Sequence, residues 1–108
     1  MGFFYNVKGA SVSGGKLTTE LVAPDIDYNV SSLLLVNVHD SADATITLFI
    51  QDDPTSGATS TYELTHGVAI PANTSLVLNS RSMFSFPEKY GLYITVGAND
   101  LVDVIVNT

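Results

Sequence analysis

The sequence lacks cysteine and tryptophan altogether, and only 14% of its 108 residues are charged. Without cysteine the chain forms no disulfide, no thiolate metal site and no cysteine nucleophile. Small secreted domains often depend on disulfides, so their absence favours production in a reducing cytoplasm. The absence of tryptophan disfavours a carbohydrate cleft, because ligand clefts are lined largely by apolar and aromatic side chains.

Basic residues are also scarce. Four bases stand against eleven acids, which gives a net charge of −7; the bases are Lys8, Lys16, Arg81 and Lys89. Four scattered cations do not form a basic patch, so we expect no binding to nucleic-acid phosphates or to an anionic membrane. Residues 1–12 lack the apolar stretch of a signal peptide, and the longest apolar run, residues 33–36, is too short to cross a membrane.

The polar residues that are present are mostly neutral. Ser, Thr and Asn fill much of the polar fraction, whereas charged residues reach 14% against about 25% in an average protein. Neutral hydroxyl and amide groups cost less to desolvate than ions. The composition therefore suits a protein whose surface is covered by neighbouring proteins.

Apolar residues recur with a period of two along nearly the whole chain, which is the pattern of half-buried strands. Nine segments have this pattern and predict about eight short strands: residues 16–22, 31–39, 44–51, 60–64, 66–70, 74–78, 83–86, 92–96 and 101–106. No window of eleven residues has a helical stripe. The pattern predicts an all-β, two-sheet antiparallel sandwich, of either immunoglobulin-like or jelly-roll topology.

Two short turns predict hairpins. Residues 40–43 lead from the strand at 31–39 directly into the strand at 44–51, and residues 97–100 join the last two strands. The strand at 31–39 has apolar residues on both faces, which predicts a central strand or one covered by a partner.

The N-terminus differs from the rest of the chain. We assign residues 16–108 to the sandwich and residues 1–15 to either an N-terminal arm or an edge strand. Three aromatic residues lie together here: Phe3, Phe4 and Tyr5. In the arm alternative they dock on a neighbouring subunit, where buried aromatic side chains supply much of the binding energy.

Outward aromatic residues form the second predicted contact. Phe49 and Tyr93 are at strand positions whose side chains should face water. A single exposed aromatic residue is common. If these two share a patch with Leu34 and Ile105, the surface is apolar enough to indicate an interface.

No catalytic, cofactor or metal site is predicted. Only His39 and His66 could act as a base, and neither belongs to a Gly-x-Ser-x-Gly motif. The acid pairs at 40/43 and 52/53 belong to different turns and match no calcium loop, so we interpret them as solvated. We therefore expect that the protein is not an enzyme.

Four segments resemble a known family: SSLLLVNV at 31–38, ATITLFI at 44–50, AIPANTSLVL at 69–78 and VDVIV at 102–106. Their order resembles that in small virion structural proteins of tailed bacteriophages, especially marine ones. The resemblance covers roughly residues 16–106. It implies a β-sandwich on the virus particle and carries no enzymatic residue.

The resemblance implies a capsid decoration or cement protein that binds major capsid subunits, assembled into the virion in the host cytoplasm. Such proteins commonly form homo-oligomers, often trimers, or lie at capsid symmetry axes. The alternative is a tail, neck or fibre component that binds a receptor or a carbohydrate, with Tyr62, His66 and Tyr90 near its groove.

Overall fold

The computed structural model describes residues 2–9, 18–23, 30–39, 41–52, 60–79, 84–86, 89–98 and 100–108. They contain the strands β1 (Gly2–Lys8), β2 (Thr18–Val22), β3 (Ser32–Asn37), β4 (Ala44–Asp52), β5 (Thr61–Ile70), β6 (Ser75–Leu78), β7 (Tyr90–Val96) and β8 (Leu101–Asn107). All the strand pairings are antiparallel. The predicted all-β, two-sheet sandwich is confirmed.

The order of the strands identifies the topology. Sheet A has the order β1-β8-β3-β6 and sheet B the order β2-β7-β4-β5. The pairs β1–β8, β2–β7, β3–β6 and β4–β5 are nested, as if one long hairpin had been rolled up. Consecutive strands lie in different sheets except β4 and β5, whereas the first two strands of an immunoglobulin domain are neighbours in one sheet. The arrangement is that of a jelly roll.

Both predicted hairpins are wrong, because the strands that each turn joins lie in different sheets, although the turn after β7 is present. The segment between β3 and β4, in which Asp40 lies outside the described residues, crosses from sheet A to sheet B. The loop after β7 turns tightly, with the Asp100 N–H donating to the Gly97 carbonyl at 3.0 Å. It nevertheless joins β7 of sheet B to β8 of sheet A, so it connects the sheets and not two paired strands.

Two strand boundaries also differ from the prediction. The segments at 60–64 and 66–70 form the single strand β5, which contains Gly67 in the left-handed region at φ 60° and a local shift of register against β4. Glycine adopts this conformation without the cost that a Cβ imposes. Residues 84–86 are in no strand, and Met83 lies outside the described residues. Phe84 packs into the core instead.

The core lies between the two sheets and is built by the alternation that the sequence shows. Inward residues of sheet A include Val7, Leu33, Leu35, Val102, Val104 and Val106, and those of sheet B include Ile46, Leu48, Ile50, Leu92, Ile94 and Val96. The prediction that β3 is a central strand is confirmed, since it lies between β8 and β6.

Candidate protein-binding surface

The outer face of sheet A carries an unbroken apolar row across all four strands. Phe4 of β1 is opposite Ile105 of β8, Ile105 is opposite Leu34 of β3, and Leu34 is opposite Val77 of β6. Residues opposite each other in antiparallel strands have their side chains side by side on one face. We call these four side chains the apolar row. Its two ends are the most open, with Phe4 76% and Val77 57% exposed.

Strand alternation explains why these side chains point outward. In β1 the inward residues are Phe3, Tyr5 and Val7, so Phe4 has the opposite orientation. In β6 the half-buried Leu76 and Leu78 pack against the core, which leaves Val77 outside. The same alternation could have been applied to the sequence. Phe3, Tyr5 and Val7 are spaced two residues apart and predict one apolar face, which would have placed Phe4 on the opposite face from the other two aromatic residues.

Polar side chains, of which Asp103 is charged, border the apolar row. On one side the Asn6 amide donates to the Asp103 carboxylate at 2.7 Å, and on the other the Asn107 amide donates to the Ser32 hydroxyl at 3.1 Å. The strands of this outer face contribute one base, Lys8, and one acid, Asp103. The face is therefore neutral, although the chain as a whole has a net charge of −7.

The three N-terminal aromatic residues have three different environments. Phe3 is half-buried and packs against the core. The Tyr5 hydroxyl donates to the Leu21 carbonyl at 2.6 Å, which joins the edge of sheet A to the edge of sheet B. Only Phe4 of the three presents most of its ring to the surface. Residues 2–8 form the edge strand β1, while residues 1 and 10–15 lie outside the described residues.

Phe49 and Tyr93 lie on the outer face of sheet B, but the expectation that they are exposed is wrong. They are paired across β4 and β7, and their rings stack with centroids 5.7 Å apart. Only 9% of Phe49 and 4% of Tyr93 are exposed, and the Tyr93 hydroxyl donates to the Glu20 carboxylate at 3.3 Å. They also share no patch with Leu34 and Ile105, which lie in the opposite sheet. Their predicted role at an interface stays a prediction.

The rest of the outer face of sheet B is rich in threonine. Thr18, Thr45, Thr47 and Thr95 lie to one side of the stacked rings, while Glu63 is opposite Phe49 and Glu20 is opposite Tyr93. The Thr47 hydroxyl accepts a hydrogen bond of 3.1 Å from the N–H of Gly67, at the irregular part of β5. The two outer faces therefore differ in kind: sheet A presents an apolar row, whereas sheet B presents hydroxyl and carboxylate groups.

A second aromatic group lies where β4, β5 and β7 meet at one end of the sandwich. The rings of Tyr62 and Tyr90 meet edge to face with centroids 6.0 Å apart, and the Lys89 ammonium lies 5.4 Å from the centroid of the Tyr90 ring. Tyr62 is 58% exposed. His66, which was predicted near the same groove, is exposed and bonds to Glu63.

His39 and Asp100 form a structural link between the sheets. The Asp100 carboxylate lies 3.4 Å from the His39 ring and accepts a hydrogen bond of 2.9 Å from the Thr45 N–H. His39 follows β3 of sheet A, and Thr45 lies near the start of β4 in sheet B. The Asp100 carboxylate therefore links the end of β3 to the start of β4. Within the described ranges, no three His, Asp or Glu side chains are grouped to hold a metal ion. Nor does the described part of the chain contain a helix long and apolar enough to span a membrane.

Comparison with known proteins identifies the fold. No protein-family model matches the chain, and no curated protein matches its sequence. Among solved structures, the crystal structure of PirA has a TM-score of 0.54 at 13% identity, covering 97% of this chain and 91% of PirA. A chain of infectious bursal disease virus, Gt strain, has a TM-score of 0.52 at 13% identity; 99% of this chain aligns with 31% of the viral one. At such identities the likeness concerns the fold alone.

Proposed function

We propose that this protein is a virion structural protein of a tailed bacteriophage: a capsid decoration or cement protein that binds major capsid subunits through the outer face of sheet A. The observation that carries the proposal is the apolar row from Phe4 to Val77. It crosses the full width of a sheet, it is most open at its two ends, and its surroundings are neutral.

The energetics favour this face as the contact. Covering the Phe4 ring removes a large apolar area from water, and an aromatic side chain that becomes fully covered at an interface contributes roughly 2 kcal/mol or more. Ile105 and Leu34 are half-buried by their neighbours, so they offer a flat continuous surface and lose little side-chain entropy on binding. The border contains one acid, Asp103, which is already hydrogen-bonded to the Asn6 amide, so covering this face desolvates few ions.

Two kinds of similarity support a place in the virus particle. The fold resembles that of a chain in infectious bursal disease virus, and the sequence resembles virion proteins of tailed bacteriophages. The bacteriophage assignment rests on the sequence resemblance. We place the protein in the virion, assembled in the host cytoplasm, as a homo-oligomer present in many copies. Many copies in a fixed array make individually weak contacts collectively strong.

The test is binding to capsids of the virus that encodes the chain. Purified protein is sedimented with capsids, and the bound fraction is compared between the unaltered chain, Phe4→Ser and Tyr62→Ser. Both substitutions remove an exposed aromatic ring, but Tyr62 lies at the end of the sandwich and not on the outer face of sheet A. We expect Phe4→Ser to weaken binding by about tenfold or more, equal to about 1.4 kcal/mol, and Tyr62→Ser to leave it unchanged. Equal occupancy by all three proteins would contradict the proposal.

The exposed Tyr62 ring and its neighbours favour a second candidate, a tail, neck or fibre component that binds a receptor or carbohydrate. Tyr62, Tyr90 and Lys89 combine an apolar ring face with a hydrogen-bond donor, as a ligand site for a polar molecule requires. A glycan array would reveal this function as binding to a defined sugar that Tyr62→Ala abolishes. If no glycan binds, the carbohydrate-binding proposal is refuted and capsid binding remains.

A further inference from the structure

The four sheet edges are not equally protected against pairing with another strand. Sheet B ends in β2, which has a register shift after Glu20, and in β5, which is irregular around Gly67. The edge strand β6 of sheet A has only four residues. Short length, irregularity and charge are the devices by which natural proteins block edge-to-edge pairing.

β1 is neither short nor irregular, and it is charged only at its end. Its seven residues, Gly2–Lys8, pair with β8 in seven consecutive positions without a register shift, and its single charge is Lys8 at the end. Within the described part of the chain, β1 has a neighbouring strand on one side only. Its open side therefore presents a regular row of backbone donors and acceptors.

We infer that β1 pairs antiparallel with β1 of a second copy of this chain, across a two-fold axis at Tyr5, and joins two sheets A into one eight-stranded sheet. In this register Phe4 is opposite Asn6 of the second copy, and Gly2 is opposite its Lys8. All seven residues of both strands are then paired.

The backbone geometry of β1 fits this register. The Gly9 N–H donates to the Asp100 carbonyl at 2.9 Å, so the backbone of Gly9 is directed toward β8. Hydrogen-bonded and non-hydrogen-bonded positions alternate along an antiparallel pair. Tyr5 is four residues from Gly9, so its backbone is also directed toward β8. Phe4 and Asn6 are an odd number of residues from Gly9, so their backbone groups are directed to the open side, where the pairing requires them.

Charge selects a second copy as the occupant. A chain with a net charge of −7 repels its copies over most of its surface. The strand β1 carries one positive charge and no negative one, and the outer face of sheet A balances Lys8 against Asp103. This side of the molecule is where two copies approach with the least repulsion.

Area gives a further argument, which rests on the proposed capsid binding. The four strands of sheet A cover roughly 400 Å², at about 3.4 Å per residue and about 4.8 Å between strands. Two joined faces double this area and place two apolar rows in one surface.

The test uses Asn6→Pro, with Asn6→Ala as its matched control. Both substitutions remove the amide that bonds Asp103, but only proline removes the outward N–H, and proline is tolerated at an edge position whose N–H faces away from its sheet. Sedimentation velocity of the full chain without capsids measures the mass. We expect twice 11.5 kDa for the unaltered chain and for Asn6→Ala, and 11.5 kDa for Asn6→Pro. Circular dichroism confirms that each variant is folded.

Cross-linking tests the register independently of any proline effect. The natural chain has no cysteine, so introduced thiols are unambiguous. A hydrogen-bonded antiparallel pair has Cα atoms about 5.5 Å apart, which suits a disulfide. A mixture of Phe4→Cys and Asn6→Cys chains with different tags should oxidise to the mixed dimer. A mixture of Phe4→Cys with Val77→Cys, which is exposed on the opposite edge, should not.

Several results would overturn the inference. They are a monomeric or trimeric unaltered chain at high micromolar concentration, equal dimerisation of Asn6→Pro and Asn6→Ala, or no excess of the mixed disulfide. If the unaltered chain is monomeric and its Asn6→Pro variant no longer binds capsids, the strand that pairs with β1 belongs to a capsid subunit. Since dimerisation is measured without capsids, its failure would refute this dimer and leave capsid binding to be judged by the sedimentation test with capsids. A dimer that does not bind capsids would refute only the proposed capsid binding.

Discussion

The side-chain amide of Asn37 donates a hydrogen bond of 2.9 Å to the main-chain carbonyl of Ile70, and thereby connects β3 of sheet A to the end of β5 in sheet B. The same nitrogen donates to the Ala42 carbonyl at 2.9 Å, while the side-chain oxygen accepts the His39 N–H at 2.9 Å. Asn37 is the buried polar residue of the described core. It holds the segment that crosses between the sheets.

Replacing Asn37 with alanine should lower the free energy of unfolding by about 3 kcal/mol. The substitution leaves two carbonyls and one N–H without their partner, and each unsatisfied buried group costs about 1–3 kcal/mol. Urea unfolding followed by circular dichroism measures the change. The control is Asn6→Ala, which removes an exposed amide with one hydrogen bond and should cost less than about 1 kcal/mol. Equal losses would show that the buried network contributes nothing of its own.

Gly97 and Asp100 should be energetically coupled. A Cβ on Gly97 would lie 2.5 Å from the Asp100 carboxylate oxygen that accepts the Thr45 N–H. We expect Gly97→Ala to destabilise the protein by about 1–2 kcal/mol, because the carboxylate must leave its place. In an Asp100→Ala background the same change should cost about 1 kcal/mol less. A double-mutant cycle in urea measures this difference, and strictly additive effects would contradict the predicted contact.

Phe49 should contribute to stability although it lies on an outer face. Its ring is 9% exposed and stacks on Tyr93, so Phe49→Ala should destabilise the sandwich by about 3 kcal/mol. The same substitution at Phe4, which is 76% exposed, should change the unfolding free energy by less than about 0.5 kcal/mol. Thermal and urea unfolding of the two variants give the comparison. Similar losses in both would mean that Phe49 is not packed as the structure shows.

A negative charge at the far end of the apolar row should impair capsid binding. Val77→Asp places a carboxylate in a surface that must be desolvated, so we expect the affinity to fall by about tenfold or more. Thr18→Asp is the matched control, since Thr18 is also exposed on an edge strand but belongs to sheet B. Capsid sedimentation at fixed protein concentration measures both. Loss of binding by Thr18→Asp alone would assign the contact to the opposite face.

The orientation of most side chains was predictable from the sequence because strand geometry has a fixed period of two. The inward positions of Leu92, Ile94 and Val96, and of the valines of β8, follow directly from alternation. The same rule indicates Asn37, which continues the inward positions of Leu33 and Leu35. A polar residue in that line is a signal for a buried hydrogen-bond network.

The binding surface was less accessible to sequence reasoning. Leu34 and Ile105 are recognisable as outward residues, but alternation does not say which other strands lie beside them. The structure brings them together with Phe4 and Val77, from the two edges of sheet A, and separates them from Phe49 and Tyr93. Partners that are far apart in the chain depend on strand order, which no local pattern encodes.

Residue types and a spacing of two residues were enough to predict that the chain forms strands, which face of each strand is apolar, and that its surface is poor in charge. Which strands are neighbours became clear from the three-dimensional fold. A short turn such as 97–100 closes a hairpin or crosses between two sheets equally well, and the choice depends on which arrangement buries the inward side chains of all eight strands together. That choice produced the jelly roll, and with it the continuous apolar row on sheet A.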